Sequence, residues 1–211
     1  MHVIALNTSR FGEHLGLLAE MYRLRRRVFK DRLDWSVSVS GDLELDVYDT
    51  LNPTYLIAVS DDAVIGSVRL LPTTGPTMLA DTFPELLGGQ APPRSEKILE
   101  SSRFCVDTKL AAEFADNSLN RATFILFAGM IERLRAVTAD SIVTVTDTRM
   151  ERILRRAGWP LERIATPQRI GETMALAGFL HASDQALALM YQRAGVAGPV
   201  LQDPPSLNAA A

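Results

Sequence analysis

Leu99-Glu100-Ser101-Ser102-Arg103-Phe104-Cys105-Val106-Asp107 is the stretch on which the reading of this chain turns. Its aliphatic, aromatic and β-branched residues favour a strand. Inside it stand a carboxylate, two hydroxyls and a guanidinium in succession. Successive side chains of a regular strand point to opposite faces. Glu100 and Ser102 therefore share one face, and Ser101, Arg103 and Cys105 the other. A central strand leaves neither face to water, and an unpaired buried charge costs several kcal/mol, roughly 3–5. Glu100 and Arg103 thus require countercharges from elsewhere in the chain, or from a ligand.

Outward from this strand the pattern alternates. Val3 to Leu6 reads as a first strand. Glu13 to Phe29 reads as a helix, with Leu17, Met21, Leu24 and Val28 at three- and four-residue steps. The acidic segment Asp42 to Asp49 has neither period and reads as a structured loop. Tyr55 to Ser60 and Ala63 to Leu71, joined by Asp61-Asp62, read as a hairpin. A short helix is expected within Met78 to Leu87. Beyond the charged strand come an apolar helix over Arg121 to Val137 and a buried strand over Ser141 to Thr146. Thr148-Arg149-Met150-Glu151 has the form of a capping box opening a helix that stops at Gly158. Glu172 to Leu180 reads as a strand, and Ser183 as the cap of a last helix to Arg193. The fold class is therefore α/β, a mixed sheet with helices on both faces in three layers.

The 211 residues, 47% of them hydrophobic, suit one domain large enough to bury about 70% of its unfolded surface. Residues 1–198 are read as that domain and 199–211 as a flexible tail. A net charge of −3 supplies no general attraction for nucleic acid. No apolar run reaches the ~18 residues of a membrane span, and the start lacks the charged and apolar regions of a signal peptide. The single cysteine, Cys105, excludes an internal disulfide and suits the cytoplasm. It has no neighbouring histidine and reads as core packing.

The common catalytic motifs are absent. No phosphate-binding glycine loop or nucleophile elbow is present. His2, His14 and His181 are too scattered to suggest a metal site. What remains are charges on apolar scaffolding: Arg25, Arg69 and Arg103 against Asp46, Asp49 and Glu100. On spacing alone they serve equally well as structural ion pairs or as a site.

In order and spacing these residues resemble a known family. Leu24-Arg25-x-x-Val28-Phe29-x-x-Arg32-Leu33-x-Trp35, Glu44-x-Asp46-x-x-Asp49, Arg69-Leu70-Leu71-Pro72, Phe83 and Glu100-x-Ser102-Arg103-Phe104 are similar to the acyl-homoserine-lactone synthases of bacterial quorum sensing. The resemblance covers roughly the first 160 residues, without departure at the family's charged or aromatic positions. It implies an acetyltransferase-like fold with a V-shaped cleft between central strands. It also implies two substrates, S-adenosylmethionine and an acyl chain on acyl carrier protein or, less often, on coenzyme A. Their reaction acylates the methionine amine and closes the lactone, releasing methylthioadenosine. No cofactor is expected beyond these substrates.

Residue types can then be matched to chemical needs. Glu100 is the first candidate to receive the amine proton, directly or through water, and Asp46 the second. Asp46 and Asp49 suit the cationic end of S-adenosylmethionine. Arg25, Arg69 and Arg103 suit its carboxylate, or serve as struts that pin the N-terminal loop over it. Phe29 and Trp35 offer an aromatic wall. Leu126 and Met130 are candidates for the acyl-chain wall. Thr144 falls where family members that use 3-oxo chains resemble one another in having a threonine. Arg149, Arg152, Arg155 and Arg156 form a basic stripe on one helix, suited to an acidic carrier protein. The competing readings are a coenzyme A-dependent N-acetyltransferase of the same fold and a non-catalytic binding module. Arg155-x-x-Gly158 lies at a helix end, the wrong context for the acetyltransferase's pyrophosphate loop.

Overall fold

The computed structural model of the chain describes residues 1–108 and 118–204. In chain order the elements are β1 (His2–Asn7), α1 (Leu15–Arg26), β2 (Val39–Ser40), β3 (Leu43–Glu44), β4 (Thr54–Ser60), β5 (Ala63–Pro72), α2 (Met78–Asp81) and β6 (Ile98–Val106). Then follow α3 (Ser118–Ala136), β7 (Ser141–Asp147), α4 (Thr148–Ala157), β8 (Glu162–Arg163), β9 (Gln168–Ile170), β10 (Thr173–His181), α5 (Asp184–Ala194) and β11 (Leu201–Gln202). The main sheet runs β11-β1-β4-β5-β6-β7-β10-β8, with β9 also on β10. It is mixed: β6 pairs parallel with β7 and β11 parallel with β1, while the β1–β4–β5–β6 run is antiparallel.

The strand alternation sorts the core into two layers. Leu56, Ala58, Ile65 and Val68 face the α3–α5 side with Ile125, Leu126 and Met190. Tyr55, Ile57 and Val64 face α1, against Met21, Leu24 and Phe29. Farther along that face, Leu79, Leu86 and Leu87 of α2 and the 3₁₀ turn Pro84–Leu87 cover Val143 and Ala177. Three αβα layers result, as the sequence predicts. Among the described residues no helix is long and apolar enough to cross a membrane.

Two local features position the site. The β6–β7 pairing ends at Ser101 with Thr144, while β6 continues to Val106 and β7 to Asp147. The two strands therefore part beyond that rung, and the gap between their C-terminal ends is the V-shaped cleft. Such gaps at the carboxyl ends of parallel strands are the usual ligand positions in open α/β sheets. The second feature is a bulge on β6. Ser67 pairs with Cys105 but Arg69 with Ser102, so one residue of β5 faces two of β6. Arg103 occupies the bulge with φ +56°, outside the range most side chains adopt.

Several sequence expectations are corrected here. Because of the bulge, Cys105 lies on the same face as Ser102, not opposite it. The acidic loop contains the β2–β3 hairpin and a 3₁₀ turn, Val47–Thr50. The first helix begins as a 3₁₀ turn and ends as a widened π turn, Arg27–Arg32. The cap of α4 is Asp147, whose carboxylate accepts from Met150 N–H, rather than Thr148. The segment read as a flexible tail starts too early. Leu201 and Gln202 pair with Val3 and Ile4, and Glu132 of α3 accepts from the N–H groups of Val200 and Leu201. Residues 205–211 lie outside those described.

Candidate active site

Arg25, Arg69 and Arg103 each find acids on the α1 face of the sheet. Arg25, from α1, donates Nε–H to Glu44 at 2.6 Å and both terminal nitrogens to Asp49 at 2.8 and 2.9 Å. Arg69, from β5, donates to Asp46 and Asp49, and its Nε–H to Ser102 at 3.0 Å. Arg103 donates to Glu44 at 2.9 Å and pairs with Asp46 at 2.7 Å. Three cations thus meet three carboxylates in a closed arrangement. Its bidentate geometry is the kind that offsets the cost of burial.

The network ties four segments together: α1, the hairpin and turn after it, β5 and β6. Asp49 also accepts from Tyr55 Oη–H at 2.6 Å and from the Asp46 backbone N–H. Burial alone would raise the Asp49 carboxyl; the hydrogen bonds and charge of Arg25, with the charge of Arg69, outweigh it and hold it well below the usual carboxylate range.

This geometry separates roles that the sequence left together. Arg25 and Arg69 are 1% and 0% exposed with their donors spent on carboxylates and Ser102. In this arrangement both bind the loop segment that carries Glu44, Asp46 and Asp49 to α1 and β5, the strut geometry. Arg103 is 12% exposed, and among the described residues its Nη1 has only the Met78 sulfur, 3.7 Å away, as acceptor. Of the three arginines it is the one placed to meet an anion in the cleft. Asp46 and Asp49 are both paired with arginine, and Asp46 keeps 14% of its side chain exposed.

Glu100 is solved differently. It is 1% exposed, yet no arginine contacts it. Its two oxygens accept the N–H groups of Met78 and Leu79, both at 2.8 Å, at the start of α2. Burial lifts the carboxyl above its ordinary value; the two N–H donors and the Arg69 charge oppose that rise without cancelling it. A buried, raised carboxyl one residue below the point where β6 and β7 part is a candidate for proton transfer in the cleft. Met78 links the two systems, since its sulfur also accepts from Arg69 at 3.2 Å.

The remaining candidates sort as follows. Phe29 is buried under Arg103, whose guanidinium stands 5.6 Å from the ring centroid, and stacks on Trp35 at 5.3 Å. Trp35, 41% exposed, is the aromatic surface that remains open. Thr144 lies at the vertex of the cleft with its hydroxyl donating to the Ser101 carbonyl at 3.1 Å. Its one proton is satisfied by backbone there. Leu126 and Met130 are buried on the sheet-facing side of α3. A Cβ at Gly66 would stand 2.8 Å from Leu126 Cδ1 and 3.1 Å from the Cys105 carbonyl, so a side chain there would require Leu126 to shift. Arg149, Arg152, Arg155 and Arg156 are all exposed on α4, the helix that starts where β7 leaves the cleft. Burial pushes the Cys105 thiol up to about 11, in keeping with packing rather than chemistry.

Glu44 is the residue the sequence reading passed over, although it stands in the quoted pattern. It is 0% exposed and bonded to both Arg25 and Arg103. Counting charges would have found it: with Glu100 held by backbone, three buried arginines need a third acid.

The family model described as autoinducer synthase matches residues 12–190. The chain belongs to the autoinducer synthase family. A probable acyl-homoserine-lactone synthase of Sinorhizobium fredii is 50% identical to this autoinducer synthase over 183 residues, covering 86% of this chain and 88% of the relative. The crystal structure of the acyl-homoserine-lactone synthase LasI is 33% identical, covers 93% of this chain and 98% of its own, and superposes with a TM-score of 0.79. A coenzyme A-dependent acyl-homoserine lactone synthase, BjaI, solved with S-adenosylmethionine and isopentyl-coenzyme A, is 23% identical with a TM-score of 0.86, covering 99% and 96%; it shows the shared fold. This autoinducer synthase is accordingly an acyltransferase that makes acyl-homoserine lactones.

Proposed function

We propose that the substrates are S-adenosylmethionine and an acyl chain carried on acyl carrier protein, with Glu100 receiving the amine proton. The observation that carries this reading is the raised, buried Glu100 carboxyl just below the parting of β6 and β7. The substrate ammonium gives up one proton toward Glu100, directly or through one water. The freed amine attacks the thioester carbon, the carbon–sulfur bond breaks, and the second amine proton leaves with the thiol. The methionine carboxylate then attacks its own γ-carbon. The lactone oxygen–carbon bond forms as the sulfonium–carbon bond breaks, and neutral methylthioadenosine departs. Arg103 holds that carboxylate before attack, and Trp35 flanks the sulfonium or adenine. The acyl chain runs toward Leu126 and Met130, past Thr144. Protein side chains carry the chemistry without a resident cofactor, in the reducing cytoplasm where Cys105 stays a thiol.

The direct test is methylthioadenosine release from S-adenosylmethionine across a panel of acyl carrier proteins and acyl-coenzyme A thioesters, with products identified by mass. Release that depends on an acyl carrier protein and yields an acylated homoserine lactone is the expected result. Release with coenzyme A thioesters alone overturns the donor, and no release from folded protein overturns the substrates.

The arginine stripe on α4 supports the carrier protein, because its exposed cations have no ion-pair partner among the described residues. Arg152→Glu with Arg156→Glu should raise KM for an acyl carrier protein about tenfold or more, leaving kcat within about twofold. Steady-state kinetics at low and moderate salt checks this, since a charge-steered contact weakens with salt.

The two perturbed acids also set an order of losses on acidification. Asp49, held low when folded, contributes stability that is complete above its unfolded value, about 3.9, and fades only as pH falls below it. Glu100, held high, stops accepting protons as pH falls through a value above its ordinary one of about 4.3. Its raised value also adds a small instability at neutral pH that disappears on acidification. Turnover should therefore fall at a higher pH than thermal stability. Parallel pH series of kcat/KM and Tm check this, and coincident midpoints would refute it.

A further inference from the structure

At the other end of β6, away from the cleft, lies a second cavity of about 430 Å³. It is framed by the end of β1, the starts of β4 and β6, and the last turns of α3. Its volume falls in the range of small-molecule sites. Its anomaly is Arg133. The Nε of this side chain is buried with no hydrogen-bond partner among the described residues. Among the described residues its Nη2 reaches only the Thr54 hydroxyl, at a long 3.4 Å. Buried polar atoms are nearly always satisfied, so an idle buried donor on a cation calls for an acceptor.

The surroundings favour an anion with an apolar body. Ser9 donates to the Asn7 side-chain oxygen at 2.6 Å, and Thr8 to that of Asn52. Asn7 and Asn52 are exposed residues that line the cavity, and their amide nitrogens are donors with no acceptor among the described residues. Leu70, Leu99 and Val137 supply the apolar wall. Glu96 also lines the cavity and Asp203 acts on Arg133 from farther off, but neither forms an ion pair with it. Burial disfavours the Arg133 cation more than the Asp203 charge restores it, and a bound anion would add to that restoring charge.

We propose that this cavity binds a small organic carboxylate, its head on Arg133 and the Asn7 and Asn52 amides and its aliphatic body against Leu99 and Val137. The site is separate from the acyl-transfer cleft and stands whether or not the donor reading above holds.

The test is titration of the ¹⁵N-labelled protein with sodium hexanoate, following backbone amide shifts, with sodium chloride at equal ionic strength as control. Saturable shifts at Thr8, Ser9, Asn52 and Thr54 are expected. Arg133→Met should weaken binding at least about tenfold. Arg133→Lys, which keeps the charge but loses the forked donors, should weaken it less and covers the case in which the methionine variant does not fold. Glu96→Gln should tighten binding by removing a like charge. Absence of saturable shifts, equal shifts with chloride, or affinity unchanged in the Arg133 variants would overturn the proposal. Binding of inorganic phosphate but not hexanoate would overturn the carboxylate assignment.

Discussion

Glu100→Gln is expected to lower kcat by about 10²–10⁴-fold, the range for loss of a positioned base. The substitution keeps shape and burial but removes the acceptor of the amine proton. It also turns one oxygen into an NH₂ group facing a backbone N–H of α2, so one of the two 2.8 Å bonds is lost. That mismatch costs about 1–3 kcal/mol of stability. Turnover must therefore be read per folded molecule, with circular dichroism and a melt beside it. Glu100→Asp separates the contributions: it restores the charge but withdraws it by one methylene. The aspartate variant should fall between wild type and glutamine in kcat, with KM for S-adenosylmethionine little changed in both. A glutamine variant with wild-type kcat would remove Glu100 from the proton path.

Glu44→Ala should cost about 3–5 kcal/mol, a large stability loss for a single change. The network is balanced, three arginines against Glu44, Asp46 and Asp49. Removing Glu44 leaves one buried positive charge and strands the Nε donors of Arg25 and Arg103. For a chain of this size that is a fall in Tm of roughly 10 °C. The argument has an internal control. Glu44→Ala combined with Arg103→Ala returns the network to two against two, with Arg25 on Asp49 and Arg69 on Asp46 and Asp49. The double variant should be more stable than Glu44→Ala alone, although it loses activity with Arg103. Additive losses in the four-member cycle would show that the two side chains are not coupled.

Most of the architecture was legible because apolar periodicity reports it directly. The hairpin over β4 and β5, the α3 helix and the strand β7 all follow from runs of buried side chains. The charges on Arg25, Arg69 and Arg103 also announced themselves, since polar groups among aliphatic ones need partners. Their pairing did not. The bulge at Ser102 and Arg103 exists only once β5 and β6 are laid together, and no single-strand pattern contains it. The partner of Glu100 was hidden for another reason: it is backbone, from the short helix α2 after the Thr73–Pro76 turn. Glu44 was missed because Leu-Glu-Leu-Asp looks like solvated loop until the hairpin turns it inward. The strand β11 is two residues long and depends on pairing with the other end of the chain, where local sequence carries no signal.

That last pairing bears on the order in which the molecule assembles. Val3 and Leu201 lie almost the whole described chain apart, so closing this contact carries the largest loop entropy in the sheet. The arginine–carboxylate network, by contrast, is complete by Arg103. During refolding, amide protons around the network should gain protection first. Those whose acceptors depend on β11, beginning with Val3 N–H on the Val200 carbonyl, should gain it last. The catalytic frame is thus built early, and the edge of the sheet is sealed behind it.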